Sequence, residues 1–296
     1  MILGFTPSEV LIIVAVALAI CTTVCTLAME AAVLFSPAFL FLFPALIPGF
    51  PHITPNEAIG LAIAIEFFGY TSSVTGYWLR RQIDFAIAGK ALAYTVPLAV
   101  VARAVSYFVP APTLLLVFGL LLVGLAVTLH RVHGRSHDAF AGYRPRAFLM
   151  KPEPAASFSR WRPDGSDRLI LGAAGAFAGL IGIAIGEISN TFPAVRKRLP
   201  LKISTGTSAL ILHITILSAL VMNLVILNVS PDLFRAERIA IPWRVAAIIA
   251  SVVIAGGQIG AFINSRLKDA AILRGLVTVY LLTGLIVFAM LVRENL

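Results

Sequence analysis

The chain has 296 residues, 59% of them hydrophobic and only 12% charged, and 23 Lys and Arg against 14 Asp and Glu give it a formal charge of +9. A soluble domain carries roughly 25% charged residues, so this chain cannot clothe a water-facing surface and belongs in a bilayer. At about 20 residues per helical span the length fills on the order of eight to ten spans, which excludes a large extramembrane catalytic domain. The basic excess then reads as residues gathered on one membrane face, not as a nucleic-acid footprint.

In chain order, the first apolar window covers 10–28. No Lys or Arg precedes Arg80, so this window lacks the basic n-region of a secretory signal and is expected to stay and span. Cys21 and Cys25, one helical turn apart within it, read as small packing residues, since no further ligand or pairing residue accompanies them. The window 31–48 follows, and breaks near Thr26, Ser36, Pro37 and Pro44 make 8–48 a broken or re-entrant helical hairpin. Helices 57–79, 85–109 and 112–130 complete a first membrane repeat over 1–130. Residues 131–168 are the long polar stretch, rich in Arg and Pro, and are expected to form a cytoplasmic basic linker. A second repeat over 169–296 consists of a hairpin at 169–195 and helices at 203–228, 241–265 and 271–292.

Placing the linker inside puts Arg80-Arg81, the basic run Arg196 to Lys202, and Arg266-Lys268-Arg274 on the same face of a multi-pass protein of the inner (plasma) membrane. Both ends of 169–195 then face the cytoplasm, although a single helix of that length would rise about 40 Å and cross. Folding back at Gly182, Gly186, Asn190 and Pro193 resolves the conflict. The first half would start outside and the second inside. The expected fold class is therefore an all-α polytopic membrane protein of two inverted-topology repeats, each a broken hairpin plus three transmembrane helices. Such a plan places a substrate site near the midplane between broken helices.

Ionisable residues inside spans cost roughly 2.5–3.5 kcal/mol each on insertion scales and so mark either function or satisfied interior contacts. Glu66 lies about 14 Å into its helix and His213 about 15 Å into the corresponding helix from the other side. The two converge on one depth, either as a proton relay or substrate site or as an interior hydrogen bond. Glu187 sits at the proposed second hairpin tip beside Ser189 and Asn190, and Glu30 holds a similar place in the first. Thr205, Gly206, Thr207 and Ser208 offer hydroxyls and amides at the start of the His213 helix, while Thr71, Ser72, Ser73 and Thr75 follow Glu66 within its own span. Arg103, about 27 Å along its helix, is expected to snorkel to the outer surface. Glycine stripes at Gly172, Gly175, Gly179, Gly182 and Gly186, and at Gly256 and Gly260, read as close helix contacts or as a face lining a pathway.

Several stretches resemble the sulfite and organosulfur exporter family TauE/SafE, also grouped as toluene-sulfonate uptake permeases. They are Ala178 to Glu187, Thr205-Gly206-Thr207-Ser208, Gly256 to Ala261 ending in Ser265-Arg266-Leu267, and Gly76 to Asp84 in the first half. Their order and spacing cover nearly all the membrane part but not 131–168. The first glycine-rich hairpin of the family is eroded here to Cys25 to Glu30, and Ala184-Ile185 stand where glycines are common. The resemblance implies secondary transport of small sulfur-containing or organic anions, coupled to an ion gradient, by alternating access. On that reading Asn190, Gly206, Thr207, Ser208, Ser72 and Gly186 contact substrate, and Glu66, Glu187, His213 and Glu30 couple protons. The partners are a small anion and the lipid bilayer, with a homodimer left open and nucleic acid excluded. No cofactor is expected, and no metal or enzymatic role, because the apolar windows hold no His-x-x-x-His and no Glu-x-x-His. A carrier or channel for a cation or other small solute, using the embedded glutamates, is the competing reading.

Overall fold

A computed structural model describes residues 4–27, 29–140, 162–182, 201–229 and 242–294. Its helical segments are α1 (Pro7–Leu27), α2 (Ala32–Leu46), α3 (Pro55–Leu79), α4 (Phe85–Ser106), α5 (Ala111–Phe140), α6 (Gly165–Ile181), α7 (Leu201–Val229), α8 (Trp243–Arg266) and α9 (Asp269–Glu294), and no strand forms among the described residues. Seven of them, all but α2 and α6, contain stretches long and apolar enough to cross a membrane, as an all-α multi-pass protein requires.

Polar residues set several helix starts. Thr54 and Glu57 form a reciprocal capping box at α3, with Pro55 in the first turn where its missing N–H costs nothing. Asp84 accepts from the amides of Ala86 and Ile87 at 2.9 and 3.1 Å and starts α4. Asp164 and Asp167 form a second capping box, so α6 begins before the apolar window at 169, and α5 continues past 130 to Phe140. The polar stretch assigned to the linker is thus helical at both ends, because hydropathy registers span width whereas caps and backbone hydrogen bonds register helix. Residues 141–161 lie outside the described residues.

The segment from α1 through α2 doubles back. Phe5, before α1, and Phe50, after α2, bring their rings to 6.3 Å, and Gly49 lies against the Glu9 carboxylate. Within α2, Pro37 and Pro44 each remove an amide donor, and the backbone between them widens into a π-helical turn, Ala38–Leu42. Phe35, Phe39 and Phe43 stack along it at 5.6 and 5.7 Å.

Small residues decide which helices pair. Gly256 and Gly260 of α8 lie on Cys21 and Cys25 of α1, and Gly175 and Gly179 of α6 lie on Thr95 and Ala99 of α4, both with numbers rising together, so each pair is parallel. Helix α3 runs parallel to α8, joined by Ser72 Oγ donating to the Ile254 carbonyl at 2.7 Å. Helix α7 runs parallel to α4, with the Thr95 and Thr215 hydroxyls 2.8 Å apart. Helices α3 and α7 cross antiparallel, Gly60 beside Asn223 and Thr71 beside His213. Helices α5 and α9 are antiparallel too, Gly119 meeting Phe288 and Gly284 meeting Val123. Hence α1, α3 and α8 point one way and α4, α6 and α7 the other. Helix α1 thus packs on α8 near the other end of the chain, and α6 on α4.

Candidate functional site

Helix α3 is the most buried of the seven spans, with Phe68, Thr75 and Trp78 left exposed, and its other residues divide among three faces by helical spacing. Tyr70, Ser73 and Tyr77 face the end of α1, and Glu66 shares their side of the helix by spacing, within electrostatic reach of Tyr70. Phe67 and Thr71 face α7. Gly69, Ser72 and Gly76 face α8.

Helix α1 ends inside the protein, where its last carbonyls have no next turn to accept from and need partners in place of water. Tyr77 Oη donates to the Cys25 carbonyl at 2.9 Å, Asn264 Nδ2 to that of Thr26 at 2.7 Å, and the Met29 amide to that of Val24 at 3.1 Å. The Thr26 hydroxyl returns a 3.4 Å bond to the Gly260 carbonyl. Tyr70 Oη then donates at 2.6 Å to the carbonyl of Met29, in the break between α1 and α2. Removing a donor leaves a buried carbonyl bare. We expect Asn264→Leu to cost about 1–3 kcal/mol and Tyr77→Phe somewhat less, read as lowered unfolding temperatures of purified protein in detergent.

Glu30, in that break, is fully buried, and Glu66 is 2% exposed. Both carboxyl groups lie within electrostatic reach of the Tyr70 phenol. The break thus gathers two acids, a phenol and a row of capped carbonyls. Gly182, at the end of α6, arrives at the same region: its left-handed conformation (φ 74°) stops the helix, its amide caps onto Ala178 at 2.9 Å, and a Cβ there would lie 3.2 Å from that of Ala32 at the start of α2. The end of α6 therefore sits against the start of α2 and against Ile59 and Ile63 of α3. Gly186, Glu187 and Asn190, which follow Gly182, lie outside the described residues.

His213 projects from α7 onto a different face of α3 from Glu66. Its ring stacks on Phe67 with centroids 5.4 Å apart, and Nε2 is 3.4 Å from Thr71 Oγ1. Thr71 gives its one proton to the Phe67 carbonyl at 2.6 Å, so it can only accept from the histidine. That puts the proton of a neutral ring on Nε2 and leaves Nδ1 as an acceptor, buried without a partner among the described residues.

The remaining expected contacts sit in helix junctions. Ser72 binds α8 twice, through Ile254 and through Gln258 Nε2, which reaches the Ser72 carbonyl at 2.5 Å. Thr207 Oγ1 accepts from the Asp84 amide at 2.9 Å, and Gly206 lies so close to the Gln82 carbonyl that a side chain would overlap it. Ser208 is fully buried beside them. Gly206 and Thr207 thus lock the start of α7 to the turn before α4. Sequence reasoning gives Tyr70, Tyr77 and Asn264 no functional role; the signal for the tyrosines is their helical spacing from Glu66 along one face.

The expectation for Arg103 is corrected. It is 3% exposed, and its Nε and Nη2 donate to Asn223 Oδ1 at 3.0 and 2.6 Å, with Tyr107 donating to the same oxygen. The side chain turns inward because α7 supplies an acceptor at its depth, which a count along α4 cannot reveal. Among the described residues, no group of three or more His, Cys, Asp or Glu side chains could hold a metal ion.

A family model described as sulfite exporter TauE/SafE matches residues 4–287, nearly the whole chain. Searches of curated proteins and of solved structures return no match. The family consists of membrane transporters, not enzymes. With that match and seven helices fit to cross a membrane, the chain belongs to the TauE/SafE sulfite exporter family of membrane transporters.

Proposed function

We propose that the protein is a secondary-active exporter of small sulfur-containing or organic anions such as sulfite or sulfonates, working by alternating access and coupled to protons. It would reside in the inner membrane with 131–168 on the cytoplasmic side. The observation that carries the reading is the convergence of Glu30, Glu66 and Tyr70 with the end of α6 at the interruption between α1 and α2. Broken helices that meet inside a bundle are where carriers of this plan hold substrate and coupling ion. The opposed directions of the two helix sets support an inverted-topology repeat, which supplies two equivalent ways of rocking one half on the other. Glu66 and Glu30 would exchange the proton, with His213 and Glu187 assisting. Asn190, Gly186, Ser208 and Ser72 would line the substrate path, while Gly206 and Thr207 would hold the start of α7 in register.

Purified protein in liposomes should move sulfite and ethanesulfonate saturably, show counterflow, and run faster with an imposed pH gradient. Flux indifferent to pH would remove the proton role, and flux without saturation or counterflow would indicate a channel. A second reading, a cation carrier, is favoured by the two acids at the break. It predicts anion-independent movement of sodium or protons in the same liposomes.

A further inference from the structure

Arg103 is a buried cation whose partners among the described residues are an amide and a phenol ring, the latter 5.3 Å from the guanidinium carbon. An uncompensated charge at such a place is expensive and calls for an anion. Asn223 shows where. Its Oδ1 accepts from Arg103 Nε, Arg103 Nη2 and Tyr107 Oη, which fixes the amide orientation and turns Nδ2 the other way. Nδ2 is buried, on a residue 1% exposed, without a partner among the described residues. Arg103 Nη2 and Asn223 Nδ2 converge on Gly60 of α3: a Cβ built there would lie 3.7 and 3.8 Å from them. No other described atom beyond the chain next to Gly60 comes within 4 Å of that point. Two donors, one of them charged, thus converge on a spot that Gly60 leaves without a side chain.

We propose that Arg103 and Asn223 form a binding site for a small oxyanion, seated over Gly60 at the end of the bundle opposite the Arg80-Arg81 turn. One oxygen would accept from both Nη2 and Nδ2, in the charge-assisted geometry a guanidinium offers a sulfite or a sulfonate head. The site lies near the start of α3 and the end of α4, away from the acids at the α1–α2 break. An anion there is spared their repulsion. The choice of ligand class rests on the anion-transport reading above.

The test uses the full chain in lipid nanodiscs, titrated calorimetrically with sodium sulfite and with sodium ethanesulfonate at constant ionic strength. Gly60→Ala places a methyl at ordinary contact distance from both donors, so the protein should fold with an unchanged unfolding temperature yet lose room for the oxygen. Its affinity for either anion should fall by about tenfold or more. Arg103→Lys, which keeps charge but not the fork, should weaken binding similarly, and Arg103→Gln should abolish it. Wild-type affinity in folded Gly60→Ala and Arg103→Lys, or no saturable binding by the wild type, overturns the site. Sulfite flux in liposomes separates the two ideas. Normal flux with normal binding in Gly60→Ala sinks the site alone. Binding lost in Gly60→Ala, with no anion flux even in the wild type, sinks the transport reading and leaves the site standing.

Discussion

Liposomes carrying Glu66→Gln are expected to take up sulfite under a pH gradient no faster than protein-free liposomes, while sulfite counterflow without a gradient persists. The substitution keeps size and hydrogen-bonding shape but removes the only exchangeable charge at that position. Glu66 is buried within α3, one turn from Tyr70, which holds the Met29 carbonyl at the break. On the proposed function, a proton on this carboxyl group is what links alternation between sealed and open states to proton movement. Gradient-driven flux equal to wild type would demote Glu66 to a packing role. Retained counterflow guards against mistaking misfolding for lost coupling. Tyr70→Phe, which frees the Met29 carbonyl but leaves Glu66 titratable, should lower the rate and keep the pH response.

Gly179→Val should destroy the α4–α6 contact and yield little folded protein. A Cβ at Gly179 would overlap the Ala99 carbonyl, and one at Gly175 the Thr95 carbonyl. These obstacles are backbone, so no rotamer change relieves them and the helices must separate. Overpacking of even yielding cores costs about 1–3 kcal/mol, and rigid backbone puts this site at the upper end or beyond. The loss would also break the Thr95–Thr215 hydroxyl contact that seats α7 on α4. Size-exclusion profiles and unfolding temperatures in detergent provide the check, with Gly89→Ala as control, since nothing lies within 4 Å of a Cβ there. A Gly179→Val protein as stable as wild type would refute the close approach. Gly260→Val on α8, against Cys25 at 2.6 Å, should behave like Gly179→Val.

The two glycine stripes were visible in the sequence, but not their partners. Gly175 and Gly179 sit on α4, Gly256 and Gly260 on α1, and Gly182, from the same run as Gly175, is a helix terminator. Likewise, Glu66 and His213 stand out as embedded polar residues of α3 and α7, yet α3 sets Glu66 on the side of Tyr70 and offers Phe67 and Thr71 to the histidine. One residue of helical rotation separates those faces, and depth along the helix does not encode it.

The sequence by itself determined that this is a multi-pass membrane protein, where most of its helices run, and the family to which it belongs. Apolar length, the caps at Thr54 and Asp84, and the local breaks at Pro37, Pro44 and Gly182 are properties of the chain near each residue. Only the tertiary structure decided that Arg103 turns inward to Asn223, that side chains of α3 and α8 cap the end of α1, and that the end of α6 meets the start of α2. The reason is the solvent. A helix in water shows its buried face by an apolar stripe, but in a bilayer lipid and protein interior are both apolar, so periodicity cannot say which face meets a neighbour. That choice is made by small residues and single hydrogen bonds between segments far apart in the chain.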